Sequence, residues 1–161
     1  MDDLIDFIIE SNRIEGIHRP PTEAEIEVTQ QVLSRVLIET GDLELAVDVM
    51  APGHRMRDRE GLNVRVGDHV APTGGAKIRL RLLEVIARAN AGDDPFKVHC
   101  AYETLHPFTD GNGRSGRLLW LWMMLRQGKD PYVLRRGFLH TWYYQTLSAC
   151  GDLAPTQGPR P

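Results

Sequence analysis

The chain has 161 residues, 25% of them charged and 42% hydrophobic, and a formal net charge of −3; that is room for one domain with one core, and it gives no overall positive charge to suit a nucleic-acid partner. The charge is uneven: residues 1–50 hold twelve acids against three bases (Arg13, Arg19, Arg35), and residues 51–161 hold ten against sixteen. The asymmetry fits either two differently solvated surfaces or an acidic lid attracted to a basic body.

The opening "MDDLIDFIIESNRIEG" has acids within its apolar stretch and no basic segment ahead of it, which excludes a secretion signal and a membrane span. Leu4, Ile5, Ile8 and Ile9 recur at helical spacing, and Gly16 with Pro20-Pro21 ends that short helix. Thr22 and Glu25 read as a capping box that opens a second helix, with Ile26, Thr29, Val32, Leu33, Val36 and Leu37 inward and Gly41 as its stop. A third helix runs from about Asp42 to Met50. Residues 62–70, "LNVRVGDHV", are β-branched and broken by Gly67-Asp68, which predicts a small hairpin. Helical period returns from about Gly75, again in "DPFKVHCAYETLH" with Pro95 in its first turn, in "SGRLLWLWMMLRQG", and in "FLHTWYYQTLSACG". The tail, residues 151–161, has a disordered composition. Cys100 and Cys150 belong to no C-x-x-C pair and read as reduced thiols of a cytoplasmic protein. The sum is an all-α domain of six to eight helices with one short β-hairpin.

The chemistry concentrates in residues 106–117, "HPFTDGNGRSGR". His106 precedes Pro107, which disfavours helical geometry in the residue before it, so the imidazole is held at a helix end facing a loop. Gly111 and Gly113 allow backbone N–H groups to converge ahead of a helix starting near Arg114, a nest for phosphate. Arg114 and Arg117 share a face in the first turn of that helix, where the dipole disfavours each cation by about 0.3–1 kcal/mol. Two arginines there make sense with an anion among them. Asp110 beside them suits a hard divalent cation such as Mg²⁺. A base, a metal ligand and an anion nest together describe phosphoryl or nucleotidyl transfer. An alternative is a zinc site from His99, Glu103 and His106, which share a helical face. No G-x-x-x-x-G-K-[ST] appears, so a P-loop kinase is excluded.

The same stretch resembles the Fic-domain signature H-P-F-x-D-G-N-G-R-x-x-R at every specified position, and the likeness extends over roughly residues 61–150. The resemblance implies transfer of AMP from ATP to a Ser, Thr or Tyr hydroxyl of a target protein, with Mg²⁺. It gives His106 the role of general base, Asp110 that of Mg²⁺ ligand, Gly111, Asn112 and Gly113 that of anion loop, and Arg114 and Arg117 those of holding the α/β and γ phosphates. It has Phe108 pack inward. It places a target-docking flap in the hairpin, at Val64, Arg65 and Val66, pairing with target backbone by strand addition. A related branch that phosphorylates its target carries lysine where this chain has Gly113, so glycine favours AMP transfer.

Glu15 is expected in the last turn of the first helix, beside its negative pole, as poorly placed as Arg117 is at the positive pole of its own helix. A pair between them relieves both misfits and holds a carboxylate where a γ-phosphate must lie. "SNRIEG" also resembles the family's inhibitory motif [S/T]-x-x-x-E-[G/N], filled by Ser11, Glu15 and Gly16. The expected organisation is an inhibitory helix over residues 1–18, a Fic domain over 19–150 and the tail over 151–161. The expected partners are a target protein, with self-modification and homo-oligomers compatible with the sequence, and neither nucleic acid nor membrane. Two other activities fit the same residues: removal of AMP with Glu15 positioning water, and a catalytically silent nucleotide-sensing or toxin-like module.

Overall fold

The computed structural model of the chain describes residues 2–130. In chain order these form α1 (Asp2–Ile14), α2 (Glu23–Leu33), α3 (Thr40–Met50), β1 (Arg65–Val66), β2 (His69–Val70), α4 (Ala76–Asn90), α5 (Pro95–Leu105) and α6 (Asn112–Arg126). The two strands pair antiparallel, Arg65 with Val70 and Val66 with His69, around a turn in which Gly67 takes a φ of +58°. The all-α class with a single small hairpin is what the periodicity predicts.

α6 is the hub. Leu118, Leu119, Trp120, Leu121, Trp122 and Met123 are all buried, so the helix is apolar around its whole circumference, and it packs against each of the other five helices. A helix buried on all sides belongs at the centre of a domain. Each such side chain contributes about 1.5–3 kcal/mol of burial, so the position of the N-terminus of α6, where the glycine loop lies, is fixed by the core itself.

Local chemistry sets the helix starts. Thr22 caps α2: its hydroxyl accepts from the Glu25 N–H at 3.2 Å, and the Glu25 carboxylate accepts from the Thr22 N–H at 2.7 Å, the reciprocal pair of a capping box. Asp94 caps α5 through the Lys97 N–H at 3.0 Å, with Pro95 at the first helical position.

Two expectations are corrected. α2 ends at Leu33, short of Gly41, with Ser34 as its C-cap. Specific bonds hold the residues that follow: the Arg35 carbonyl accepts from Trp122 Nε1 at 2.9 Å, and both backbone groups of Ile38 bind the Asn90 amide at 2.9 Å. Val36 and Leu37, read as inward-facing, are exposed at 67% and 59%. The second correction is chemical: Cys100 is disulfide-bonded and is not a reduced thiol, which withdraws the thiol argument for a cytoplasmic setting. Cys150, the helix predicted over "FLHTWYYQTLSACG" and the tail lie outside the described residues. Among the described residues no helix is long and apolar enough to cross a membrane.

Candidate active site

His106 is the C-cap of α5 and takes a left-handed conformation, φ 50° and ψ 63°, the one non-glycine residue with positive φ among those described. Its N–H closes the helix on the Tyr102 carbonyl at 2.9 Å, and its Nδ1 lies 3.0 Å from the Glu103 carbonyl. A carbonyl only accepts, so the ring proton is on Nδ1 and the Nε2 lone pair is left bare. The side chain is 15% exposed. Burial pushes its pKa below the ordinary histidine value, and the charges of Arg57 and His69 add to that, while the Glu103 bond and Glu15 oppose it. The ring is therefore neutral at neutral pH and able to take a proton.

The loop after it leads into the N-terminus of α6. Gly111, at φ +77°, is the N-cap of α6, and a Cβ there would stand 3.1 Å from Ala51 Cβ. The first N–H groups of a helix have no intrahelical partner and carry the positive end of its dipole. Arg114, 7% exposed, donates from Nη1 to the Met50 carbonyl, while its Nε is buried with no hydrogen-bond partner among the described residues. A buried donor left unmet costs about 1–3 kcal/mol, a cost an anion at this point removes.

Asn112 contributes to the loop in two ways, through its side chain and through its backbone. Its amide is turned away from the nest and closes the loop, accepting from the Phe108 N–H and donating to the Phe108 carbonyl, both at 2.8 Å. Only its backbone remains for an anion. Phe108 itself is fully buried and bridges to Met56, the inward anchor expected of it. Gly113 lies in the first turn of α6.

Asp110 is 59% exposed; one carboxylate oxygen accepts from the Gly111 N–H at 2.6 Å and the other stands 3.8 Å from His54 Nε2. Among the described residues no group of three or more His, Cys, Asp or Glu side chains could hold a metal ion. His99, Glu103 and His106, the three residues of the zinc alternative, are therefore not gathered as ligands: the Nδ1 atoms of the two histidines face the carbonyls of Gly116 and Glu103, and the three side chains form no metal-holding group among the described residues. One exposed carboxylate would suit Mg²⁺, because that ion retains waters and takes few protein ligands.

Arg117 is fully buried and is held by α1. Its Nε donates to Ser11 Oγ at 2.9 Å, and its Nη2 donates to the Ser11 carbonyl at 3.0 Å and to Glu15 Oε1 at 2.7 Å. The cation that is misplaced on its own helix thus lies at the carbonyl-rich end of another. Glu15 is one residue past α1 rather than within it. The Gly16 N–H bonds to the Arg13 carbonyl and the Ile17 N–H to the Asn12 carbonyl, each at 3.0 Å, with Gly16 at φ +74°. That is a Schellman ending, in which the residue before the left-handed glycine is the C-cap.

The hairpin reaches this site through His69, whose Nε2 donates to the Thr104 carbonyl at 2.9 Å. Of the three flap residues expected to dock a target, Arg65 and Val66 form β1, and Val64 precedes it, its carbonyl accepting from the Ala71 N–H at 3.3 Å. Arg57, His69 and the bidentate Arg19–Glu25 pair that steadies the α1–α2 corner (2.7 and 2.9 Å) escape the sequence reading. Their partners are backbone carbonyls or turn residues that no spacing rule connects.

A bare histidine nitrogen thus stands beside the N-terminus of a buried helix, with arginine donors and one exposed carboxylate, in an all-α domain. The Fic/DOC family model matches residues 31–124, more than half of the chain, and the chain belongs to that family. The curated proteins it resembles include the protein adenylyltransferase Fic of Aedes aegypti, 38% identical over 52 residues (32% of this chain, 10% of that protein). The protein adenylyltransferase fic-1 of Caenorhabditis elegans is 42% identical over 59 residues (35% and 11%). The protein adenylyltransferase Fic of Drosophila virilis is 30% identical over 100 residues (57% and 21%). The chain thus spans between a tenth and about a fifth of the length of these relatives.

Proposed function

We propose that this chain transfers AMP from ATP to a hydroxyl side chain of a protein and is held in check by its own N-terminal helix. The observation that carries the reading is the pairing of a bare His106 Nε2 with an anion nest in which Arg114 Nε is buried and unmet.

In this reading the helix-terminal N–H groups of Asn112 and Gly113 and the Arg114 guanidinium bind the α and β phosphates, and Arg117 binds the γ phosphate. Asp110 would hold Mg²⁺, which when bound neutralises phosphate charge. His106 Nε2 takes the proton of the acceptor hydroxyl as its oxygen bonds to the α phosphorus; the bond to the β-phosphate oxygen breaks and pyrophosphate leaves. Val64, Arg65 and Val66 present backbone to a target segment by strand addition, and an acceptor on this chain itself serves equally well. With Glu15 on Arg117 at 2.7 Å, the γ-phosphate position is taken, so ATP enters without reaching a productive pose.

The test is labelled ATP with Glu15→Gly protein, with and without His106→Ala, followed by mass spectrometry for AMP on protein. Transfer by Glu15→Gly that disappears with His106→Ala, while ATP binding persists, is expected. Undiminished transfer by the His106→Ala protein removes the base, and no transfer by either protein with ATP bound converts the reading to a silent nucleotide sensor.

A further inference from the structure

The last turn of α5 is finished by side chains from outside it. The Glu103 carbonyl takes His106 Nδ1, the Thr104 carbonyl takes His69 Nε2 at 2.9 Å, and the carbonyls of Leu105 and His106 take Arg57 Nη2 at 2.9 Å and Nε at 2.6 Å. Two of these three donor residues, Arg57 and His69, come from the segment that carries the hairpin.

Arg57 does more than cap. Its Nη1 donates to the carbonyls of Leu62 at 3.0 Å and Pro72 at 2.8 Å, the two residues that bracket the hairpin. Its backbone adds to the junction: its N–H donates to the Pro107 carbonyl and its carbonyl accepts from the Gly75 N–H, each at 2.9 Å. The residue is fully buried, and all its side-chain bonds in the structure are to carbonyl oxygens; burial pushes its pKa below the ordinary arginine value. Four carbonyls and the negative pole of α5 compensate the charge. Only a planar fork reaches four acceptors on two sides at once; lysine, a point charge on a flexible stem, does not.

We propose that Arg57 is a positioning residue for transfer: its guanidinium fixes the base of the flap to the backbone of residue 106, so that a hydroxyl presented on the flap and His106 Nε2 keep one separation. His69 is the second tie on the same helix end. The inference rests on His106 as the base and on the hairpin as the docking flap. A base displaced by about 1 Å loses on the order of 100-fold in rate.

The experiment uses the full chain in the Glu15→Gly background. Arg57→Lys keeps the charge and loses the fork; Arg57→Gln loses both. Expected for each is a fall in kcat on the order of 10- to 100-fold, with ATP affinity within about twofold of the parent. The pH profile separates the two. The charged groups facing His106 are Arg57 and His69 from the flap segment, Glu103 on its own helix, and Glu15 from α1, the last removed in this background. Loss of the Arg57 cation lets the ring take a proton more readily, so the acid limb moves to higher pH in Arg57→Gln and stays in place in Arg57→Lys.

A kcat within about twofold of the parent in folded Arg57→Lys overturns the proposal, as does an equal shift of the acid limb in both. Should neither variant fold, His69→Gln removes the Thr104 tie alone; a several-fold lower kcat is expected, and an unchanged one overturns the coupling. NMR titration of the His106 ring and hydrogen exchange at the Ala71 and Gly75 amides need no transfer. If the parent transfers nothing while these still respond to Arg57→Gln, the coupling stands and the transferase reading fails. If the parent transfers and neither kcat nor titration responds, the coupling fails alone.

Discussion

Replacing Glu15 by glycine removes one contact and leaves its neighbours. Arg117 is fully buried and Glu15 is 35% exposed, and the pair is joined by a single bond of 2.7 Å. A hydrogen bond to a charged group contributes about 1.5–3 kcal/mol, and the open side of the carboxylate places this one near the lower figure. Both bonds from Arg117 to Ser11 remain, at 2.9 and 3.0 Å, so α1 stays docked and only the carboxylate is lost. At about 1.4 kcal/mol per factor of ten, the variant should transfer AMP about 10-fold faster, and at the upper figure on the order of 100-fold. The assay is initial-rate labelling of the protein at saturating ATP. Glu15→Gln, which keeps the bulk and drops the charge, should fall between the two. Equal rates in the wild type and Glu15→Gly, with ATP bound by both, would refute the argument that the carboxylate occupies a phosphate position.

Two further predictions concern stability. Alanine in place of glycine inside a helix ordinarily helps by about 1 kcal/mol, but at Gly116 the new Cβ would lie 2.5 Å from Glu103 Oε1 and 2.9 Å from Tyr102 Cδ1. Gly116→Ala should therefore destabilise by about 1–3 kcal/mol in urea unfolding, and an unchanged or raised midpoint counts against the packing of α5 on α6. His99 is buried, and desolvation first, then the Arg117 charge, hold its pKa at about 4. The unfolded chain binds a proton there near pH 6.5 and the folded chain does not, so the contribution is complete above about pH 6.5 and is lost as the pH falls toward 4. Glu25, held at about 2, loses its contribution only below the ordinary carboxylate range. His99→Gln should flatten the unfolding midpoint between about pH 6.5 and 4; the same slope in both proteins assigns it to another group.

Much of the site is legible because its features are local. The Thr22–Glu25 box, Pro95 at a helix start, and the glycine loop ahead of an apolar run each state their geometry within four residues. The Glu15–Arg117 contact spans 102 residues, yet it follows from two charges that each stand at the wrong pole of a helix. Arg57 gives no such sign. In "GHRMRDRE" it is one base among three, and its value lies in carbonyls of residues 62, 72, 105 and 106, which any residue type supplies. Periodicity likewise carries α2 past its end, because Val36 and Leu37 continue the apolar pattern while Trp122 and Asn90, distant in sequence, take the backbone groups that more helix would have used. Side chains that bind main chain leave little trace in spacing.

The way α1 stops has a consequence for how such a protein can be tuned. Because a left-handed glycine sets where the last turn closes, the direction of the Glu15 carboxylate is written in main-chain torsion and not in the choice of acid. A side chain installed at Gly16 would meet no atom within 4 Å but would strain a φ of +74°. On the proposed reading, the degree of restraint would therefore change through one exposed residue, with His106, Arg114 and Arg117 untouched.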